Sequence, residues 1–328
     1  MKKAYRLVLP LLITVSLLGL AGCKPKTPTE PKKELNKVET SSPEQELTFN
    51  NFGRELVIKA TPKKVLTLGP NCTELFCALG LGDRVIGTSL SNHSRGPLPE
   101  FKEAYDKIPM LNRSSATREA VETSGADFIY GIDWEFGGDT LNIDELAALG
   151  ITTFVNCTNT IEDQYQEIEN IGKIFKVEDN ASAFIAEQKS RIKAVEDKIK
   201  GKEPIKVLVY DSGNDGIFTC GGINFETLLI NMSGGKNIFD DLTEKQWVTI
   251  SYEEAIARNP DIILVHDYDS PSVEEKIAEI KANPVLAQLD CVKNDRFARI
   301  ELESVLPGNR MAYTIEKLSK AFYPDLFK

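Results

Sequence analysis

Histidine and tryptophan are scarce in this chain of 328 residues, with two of each, and no signature of a familiar catalytic centre occurs anywhere in it. His93 and His266 belong to no Cys/His/Asp/Glu cluster with metal-ligand spacing, which argues against a dedicated metal site. A Gly-x-Ser-x-Gly elbow, a P-loop and a Gly-x-Gly-x-x-Gly turn are all missing. The chain therefore reads as a non-enzyme with no resident cofactor. The competing class is an exported thiol-type hydrolase, in which a cysteine and a histidine would have to meet in space. Basic charge is also short, at 39 Lys and Arg against 49 Asp and Glu. An acidic body excludes nucleic acid as an expected partner.

Long apolar runs are missing too, except for Leu7 to Leu20. That run follows Lys2, Lys3 and Arg6 and ends in Ala21-Gly22, which is the pattern of a signal peptide over residues 1–22. It is shorter than the ~20 residues of a spanning helix. Leu20-Ala21-Gly22-Cys23 resembles the bacterial lipobox, which implies that Cys23 carries lipid, palmitate included, at the start of the mature chain. The expected address is the outer face of the cell membrane, held by that lipid anchor. Residues 23–48 are rich in Lys, Pro, Thr, Ser and Glu and read as a disordered tether. Without the leader the balance is 36 basic to 49 acidic residues, a formal charge of −13. Cys72, Cys77, Cys157, Cys220 and Cys291 remain, an odd number that implies no complete disulfide framework and leaves one or two bridges open.

Beyond Pro62, short β-branched runs alternate with helical patterns closed by glycine or proline, the mark of βα units around mostly parallel sheets. Strands are expected at 64–68, from 85, at 127–130 and 151–155, then at 206–210, 261–265 and 297–302. Helices are expected at 73–79, 225–232 and 311–322. Between the halves, Phe184, Ile185, Ile192, Val195 and Ile199 recur at helical spacing with no glycine or proline. The fold class is thus α/β, with two Rossmann-like lobes, 49–176 and 204–328, joined by one long helix within 177–203 and a cleft between them.

Thr117-Arg118-Glu119 precedes Asp127 as Ser251-Tyr252-Glu253 precedes Asp261, with the same eight-residue step from Glu to Asp. Thr117 and Ser251 are helix caps, and each glutamate falls in a first helical turn, where it favours the positive helix end.

The string 64–75, KVLTLGPNCTEL, continued by ALGLGDRVIG at 78–87, resembles the opening of class III substrate-binding lipoproteins of ABC importers, the cobalamin and ferric-siderophore type. GGKNIF at 234–239, WVTISYE at 247–253 before NPDII at 259–263, and PGNR at 307–310 are similar to the second-lobe features of that family. The resemblance implies a monomeric receptor that delivers a metal chelate or corrinoid to a permease with ATPase subunits. It implies docking to that permease through Glu119 and Glu253, one on each lobe.

In open parallel sheets, ligands bind outside the carboxyl ends of the strands. The loops there offer Pro70, Asn71, Trp134, Trp247, His266, Tyr268 and Arg310 as ligand contacts. The indoles suit a large planar or chelated ligand. Arg310, after a Pro-Gly turn, suits a carboxylate or phenolate. His266 and Tyr268 read as a loop pair facing solvent or touching a bound metal. A ferric siderophore is the first expectation for the ligand, cobalamin the second and haem, held by Tyr268 or His266, the third.

Overall fold

The computed structural model describes residues 46–137, 140–213 and 215–328. Cys23, the leader and all but the last residues of the expected tether lie outside them. The described chain opens with a hairpin, β1 (Leu47–Asn51) and β2 (Arg54–Ile58), paired antiparallel. Its two-residue turn, Phe52-Gly53, has φ of 50° and 69°, the doubly positive conformation that matches strand twist. Asn51 then exchanges two hydrogen bonds with the backbone of Val155, at 2.8 and 2.7 Å, and Arg54 donates to Thr153 O at 3.1 Å. Side chains thus cover a sheet edge that would otherwise present unpaired backbone.

The first lobe holds β3 (Val65–Leu68), β4 (Val85–Thr88), β5 (Phe128–Ile132) and β6 (Thr152–Asn156), in the order β4-β3-β5-β6 with every neighbour parallel. All residues of β3 and β5 are buried, because helices cover both faces of the sheet. In the second lobe follow β7 (Ile205–Tyr210), β8 (Ser212–Gly213), β9 (Ile217–Cys220), β10 (Gly235–Asn237), β11 (Trp247–Ile250), β12 (Ile262–Asp267) and β13 (Phe297–Glu301). The order β10-β7-β12-β13 is again parallel throughout.

One expectation fails here. Residues 212–222, which follow a strand and hold four glycines, read as a loop from composition, yet β8 and β9 pair antiparallel with each other and β9 pairs with β11. The glycines at 213, 216, 221 and 222 look like loop punctuation. They serve close packing instead, since a Cβ on Gly222 would meet Asp240 O at 2.0 Å.

Glu178–Ile199 forms one helix of 22 residues, about 33 Å long, and buries Ala181, Ile185, Gln188, Ile192 and Val195. It packs on the first-lobe helix Ile161–Phe175 and on the last helix, Met311–Phe322. Gly172 allows the first contact, because a Cβ there would lie 2.9 Å from that of Ala181. Gln188 Oε1 accepts the N–H of Ala312 at 2.9 Å, and Arg191 grips Glu316 with two bonds of 2.9 and 2.8 Å. One apolar cluster runs through this junction, from Phe76 and Tyr165 of the first lobe to Phe225, Leu306 and Ile315 of the second. The lobes therefore share a core on this side.

Candidate functional site

The carboxyl ends of both parallel sheets face one another across the seam between the lobes. Gly69, at φ 128°, ends β3 and caps a helix that starts with Pro70 at its first turn, where a missing N–H costs nothing. Pro70 is buried there. Asn71, 2% exposed, donates through Nδ2 to Asn156 Oδ1 at 3.1 Å and to Pro307 O of the other lobe at 2.7 Å. Asn156 in turn donates to Glu167 at 2.6 Å, and Tyr130 donates to the same oxygen at 2.5 Å. Burial raises the Glu167 carboxyl to about 7, against the pull of those two hydrogen bonds.

Arg310 is not poised for an anionic ligand. Its side chain is 4% exposed, and its guanidinium is spent on the protein. Nε donates to Glu74 Oε1 at 2.8 Å, Nη2 pairs with Glu74 Oε2 and with Gly96 O, and Nη1 donates to Ser304 Oγ at 3.0 Å. Glu303 lies 3.5 Å from Nη1 and accepts from Ser94 Oγ and from Arg95 N, both at 2.9 Å. Asn309 adds a bond of 2.7 Å to Glu74. Glu74, Ser94, Arg95 and Gly96 belong to the first lobe and Glu303, Asn309 and Arg310 to the second, so this buried cluster clasps the lobes together. Burial works against the Arg310 charge, but the bonds and field of Glu74 and Glu303 raise its pKa further. The carboxyl of Glu303 is pushed up by burial, with Arg310 opposing.

His266 also departs from expectation. It lies within β12, not on a loop, and is fully buried between two carboxylates, with Nδ1 2.9 Å from Asp211 and Nε2 2.9 Å from Glu226. Burial opposes its charge, yet Glu226 and Asp211 outweigh that and lift the imidazole to about 9. It is a cation with both nitrogens engaged, which a metal cannot use. Tyr268 donates to Asp211 at 3.0 Å, and the buried Lys276 ammonium sits 3.6 Å from the centre of its ring while donating to His266 O. Burial and Asp211 push the phenol upward, so it stays protonated.

Trp134 follows β5 and is 37% exposed; Trp247 lies in β11, stacked on Phe218 at 5.5 Å and 19° and set edge-on to His266 at 5.9 Å. The His93 ring stands 6.4 Å from Trp134 and 6.0 Å from Tyr268, so an aromatic row crosses the seam. Both indoles line the cavity between the lobes, together with Asp133, Asn156, Cys157, Phe225, Gln246 and Leu306. That cavity is about 20 Å³, room for about one water molecule. Arg95 pairs with Asp267 at 3.3 Å and Arg113 with Asp269, both across the rim of the seam. The sequence alone gives Arg95, Arg113, Asp267 and Asp269 no individual role, because their pairing across the seam is set by the tertiary fold. A wider groove of about 560 Å³ runs past Arg54, Lys63 and Asp127, at the amino ends of the first-lobe strands, away from the seam. Cys72, Cys77, Cys220 and Cys291 are free and buried, and Cys157 is free and half-buried.

The helices that carry Glu119 and Glu253 begin as expected from their caps. Thr117 accepts from Ala120 N at 3.2 Å, and Ser251 from Glu254 N at 3.1 Å. Asp127 accepts the N–H groups of Lys63 and Lys64, and Asp261 that of Lys206, so each aspartate of the repeat caps the start of the neighbouring strand. The glutamates behave differently. Arg118 pairs with Glu122 and Glu145, and Arg258 with Asp241 and Glu254, while the exposed side chains of Glu119 and Glu253 have no ion-pair partner among the described residues.

Comparison with known proteins adds three findings. The profile of the family described as "Periplasmic binding protein" matches residues 65–302. The uncharacterized ABC transporter substrate-binding lipoprotein YvrC of Bacillus subtilis is 27% identical over 322 residues, 96% of each chain, and the vitamin B12-binding protein of Photorhabdus laumondii is 27% identical over 219 residues, 67% of this chain and 75% of that one. A periplasmic binding protein from Veillonella parvula superposes with a TM-score of 0.76 at 25% identity, over 85% of this chain and 98% of the other.

Proposed function

From the premise that the chain belongs to the periplasmic binding protein family, the extracytoplasmic, non-enzymatic receptors that work with an ABC permease and ATPase, we propose that it captures a corrinoid between its lobes. Members of the family take metal chelates or corrinoids, and the charge inventory of the seam carries the choice between them. Arg95, Arg113 and Arg310, the arginines that reach the seam, are each paired with a carboxylate. A strongly anionic ferric chelate would meet no excess of positive charge there, because Asp267 and Asp269 match Arg95 and Arg113 whether or not the pairs are made, and Asp133 adds a further carboxylate. A large ligand of nearly neutral charge meets indoles, an imidazole and amides instead. The similarity to a vitamin B12-binding protein supports the same reading. A ferric siderophore loses Arg310, the side chain expected to grip its carboxylate or phenolate. Haem loses His266 as a candidate iron ligand, since both of its nitrogens are engaged, and the Tyr268 hydroxyl is already committed to Asp211.

Titration of the purified chain with cyanocobalamin, a ferric catecholate, a ferric hydroxamate, ferric citrate and haem tests this, read by quenching of the two tryptophans. Saturable quenching by cyanocobalamin is expected, and a ferric catecholate that binds in its place refutes the reading.

Docking to the permease is assigned to Glu119 and Glu253, whose unpaired carboxylates stand on equivalent helices of the two lobes. Exposed charges of this kind set orientation and encounter more than affinity. Cys23 is assigned to lipid anchorage at the extracytoplasmic face. A Cys23→Ser chain should leave the membrane fraction; one that stays there contradicts the anchor.

A further inference from the structure

Exposure changes in order along the seam. At one end, the clasp of Glu74, Arg310 and Glu303 has side chains no more than 4% exposed. Next comes Arg95 with Asp267, at 47% and 21%, and last Arg113 with Asp269, at 72% and 38%. The polarity is constant over the last two pairs, with the arginine on the first lobe and the aspartate, just beyond the end of β12 or at it, on the second.

These positions are unequal in strength. Parting the clasp would strand two carboxylates and a guanidinium in a protein interior, and breaking a buried pair is severely costly. The shared apolar cluster and the long helix lie with it on the closed side. An exposed pair holds far less, a factor of up to about five in an equilibrium, and added salt screens it. Separation must therefore begin where the seam is weakest. With the rim pairs made, the cavity between the indoles is about 20 Å³, room for about one water molecule.

We propose that Arg95–Asp267 and Arg113–Asp269 form an electrostatic latch that keeps the cleft closed in the absence of ligand, and that entry requires these pairs to part while the Glu74–Arg310–Glu303 clasp stays whole as the pivot. The latch does not depend on which ligand is carried. It adds a closed resting state to a fold in which the joining helix already limits the motion. It also makes the four rim residues determinants of access: each ligand must first separate two guanidiniums on one lobe from two carboxylates on the other.

The test needs no ligand, because Trp134 and Trp247 are the only tryptophans and both line the cavity. Quenching by acrylamide, a neutral probe, reports opening through the half-buried Trp247, with a Trp134→Phe background removing the indole that is already 37% exposed. In the unaltered full-length chain the quenching constant should rise as salt goes from about 0.01 M to about 1 M, where the screening length drops from about 30 to 3 Å. At low salt, Arg113→Gln and Asp269→Asn should each raise it about twofold or more and lessen the salt dependence, with Arg95–Asp267 keeping the remainder. The exchanged double variant, Arg113→Asp with Asp269→Arg, should bring it back toward the unaltered value. Lys193→Gln breaks an exposed pair with Asp197 on the long helix and should change nothing. The affected rim side chains are largely exposed, so far-UV circular dichroism should be unchanged in all four variants. Single variants that quench like the unaltered chain, or an exchanged variant as open as the singles, overturn the latch; so does quenching in the unaltered chain that ignores salt.

Discussion

Arg310 and His266 are cations sealed from water, and each is flanked by two carboxylates. This arrangement makes them structural charges, held for the geometry they impose on their partners. For His266 the consequence can be measured. Its folded-state pKa, about 9, stands above the ordinary 6.5, so its ion pairs contribute stability that is fully present below about 6.5 and is lost as pH rises through about 9. Lys276 runs the other way, since burial lowers it to about 8, and a comparison with a variant cancels that background. The difference in unfolding free energy between the unaltered chain and His266→Gln should shrink by on the order of 2–3 kcal/mol over that window, read by urea melts at a series of pH values. A difference that stays flat would mean His266 is neutral. Neither cation's setting was legible in the sequence: Glu74 lies 236 residues from Arg310, and Asp211 and Glu226 lie 55 and 40 residues from His266. Local pattern gives no hint of such partners.

At the scale of elements, the main parallel strands were legible because burial on both faces leaves nearly continuous apolar runs, as in Val207-Leu208-Val209-Tyr210 and Ile262-Ile263-Leu264-Val265. The helix Glu178–Ile199 announced itself by spacing alone. Among the strands, what escaped was short: β8 and β9 with their partner β11, β10, and the hairpin β1–β2 ahead of the first βα unit; the helices Ile161–Phe175 and Val273–Ala282 also went unassigned. Strands of two to four residues are too brief to show a period, and β9 finds β11 only through the tertiary fold. The repeated helix starts were the most informative local signal. Their aspartates have a structural duty at Lys64 and Lys206, which leaves Glu119 and Glu253 as the members that the fold does not use. Replacing both with alanine should abolish uptake of the carried ligand in cells while changing its affinity for the purified protein less than about twofold. Normal uptake by the double variant would remove them from docking.

For the whole molecule, one side of the seam is a shared core and a buried clasp, and the other is an exposed rim. On the proposed reading, delivery calls for a modest opening at the rim. The seam supplies aromatic and amide surface, and each of Arg95, Arg113 and Arg310 is matched there by at least one carboxylate; the proposal of a corrinoid ligand rests on that balance. Equilibrium dialysis of cyanocobalamin against the unaltered chain and against a Trp134→Ala, Trp247→Ala double variant tests it most directly. The account predicts one corrinoid per chain and a loss of affinity of at least about tenfold when both indoles are removed, in keeping with the 0.5–1.5 kcal/mol or more of an aromatic contact. No binding by the unaltered chain, or equal affinity in the variant, would contradict it.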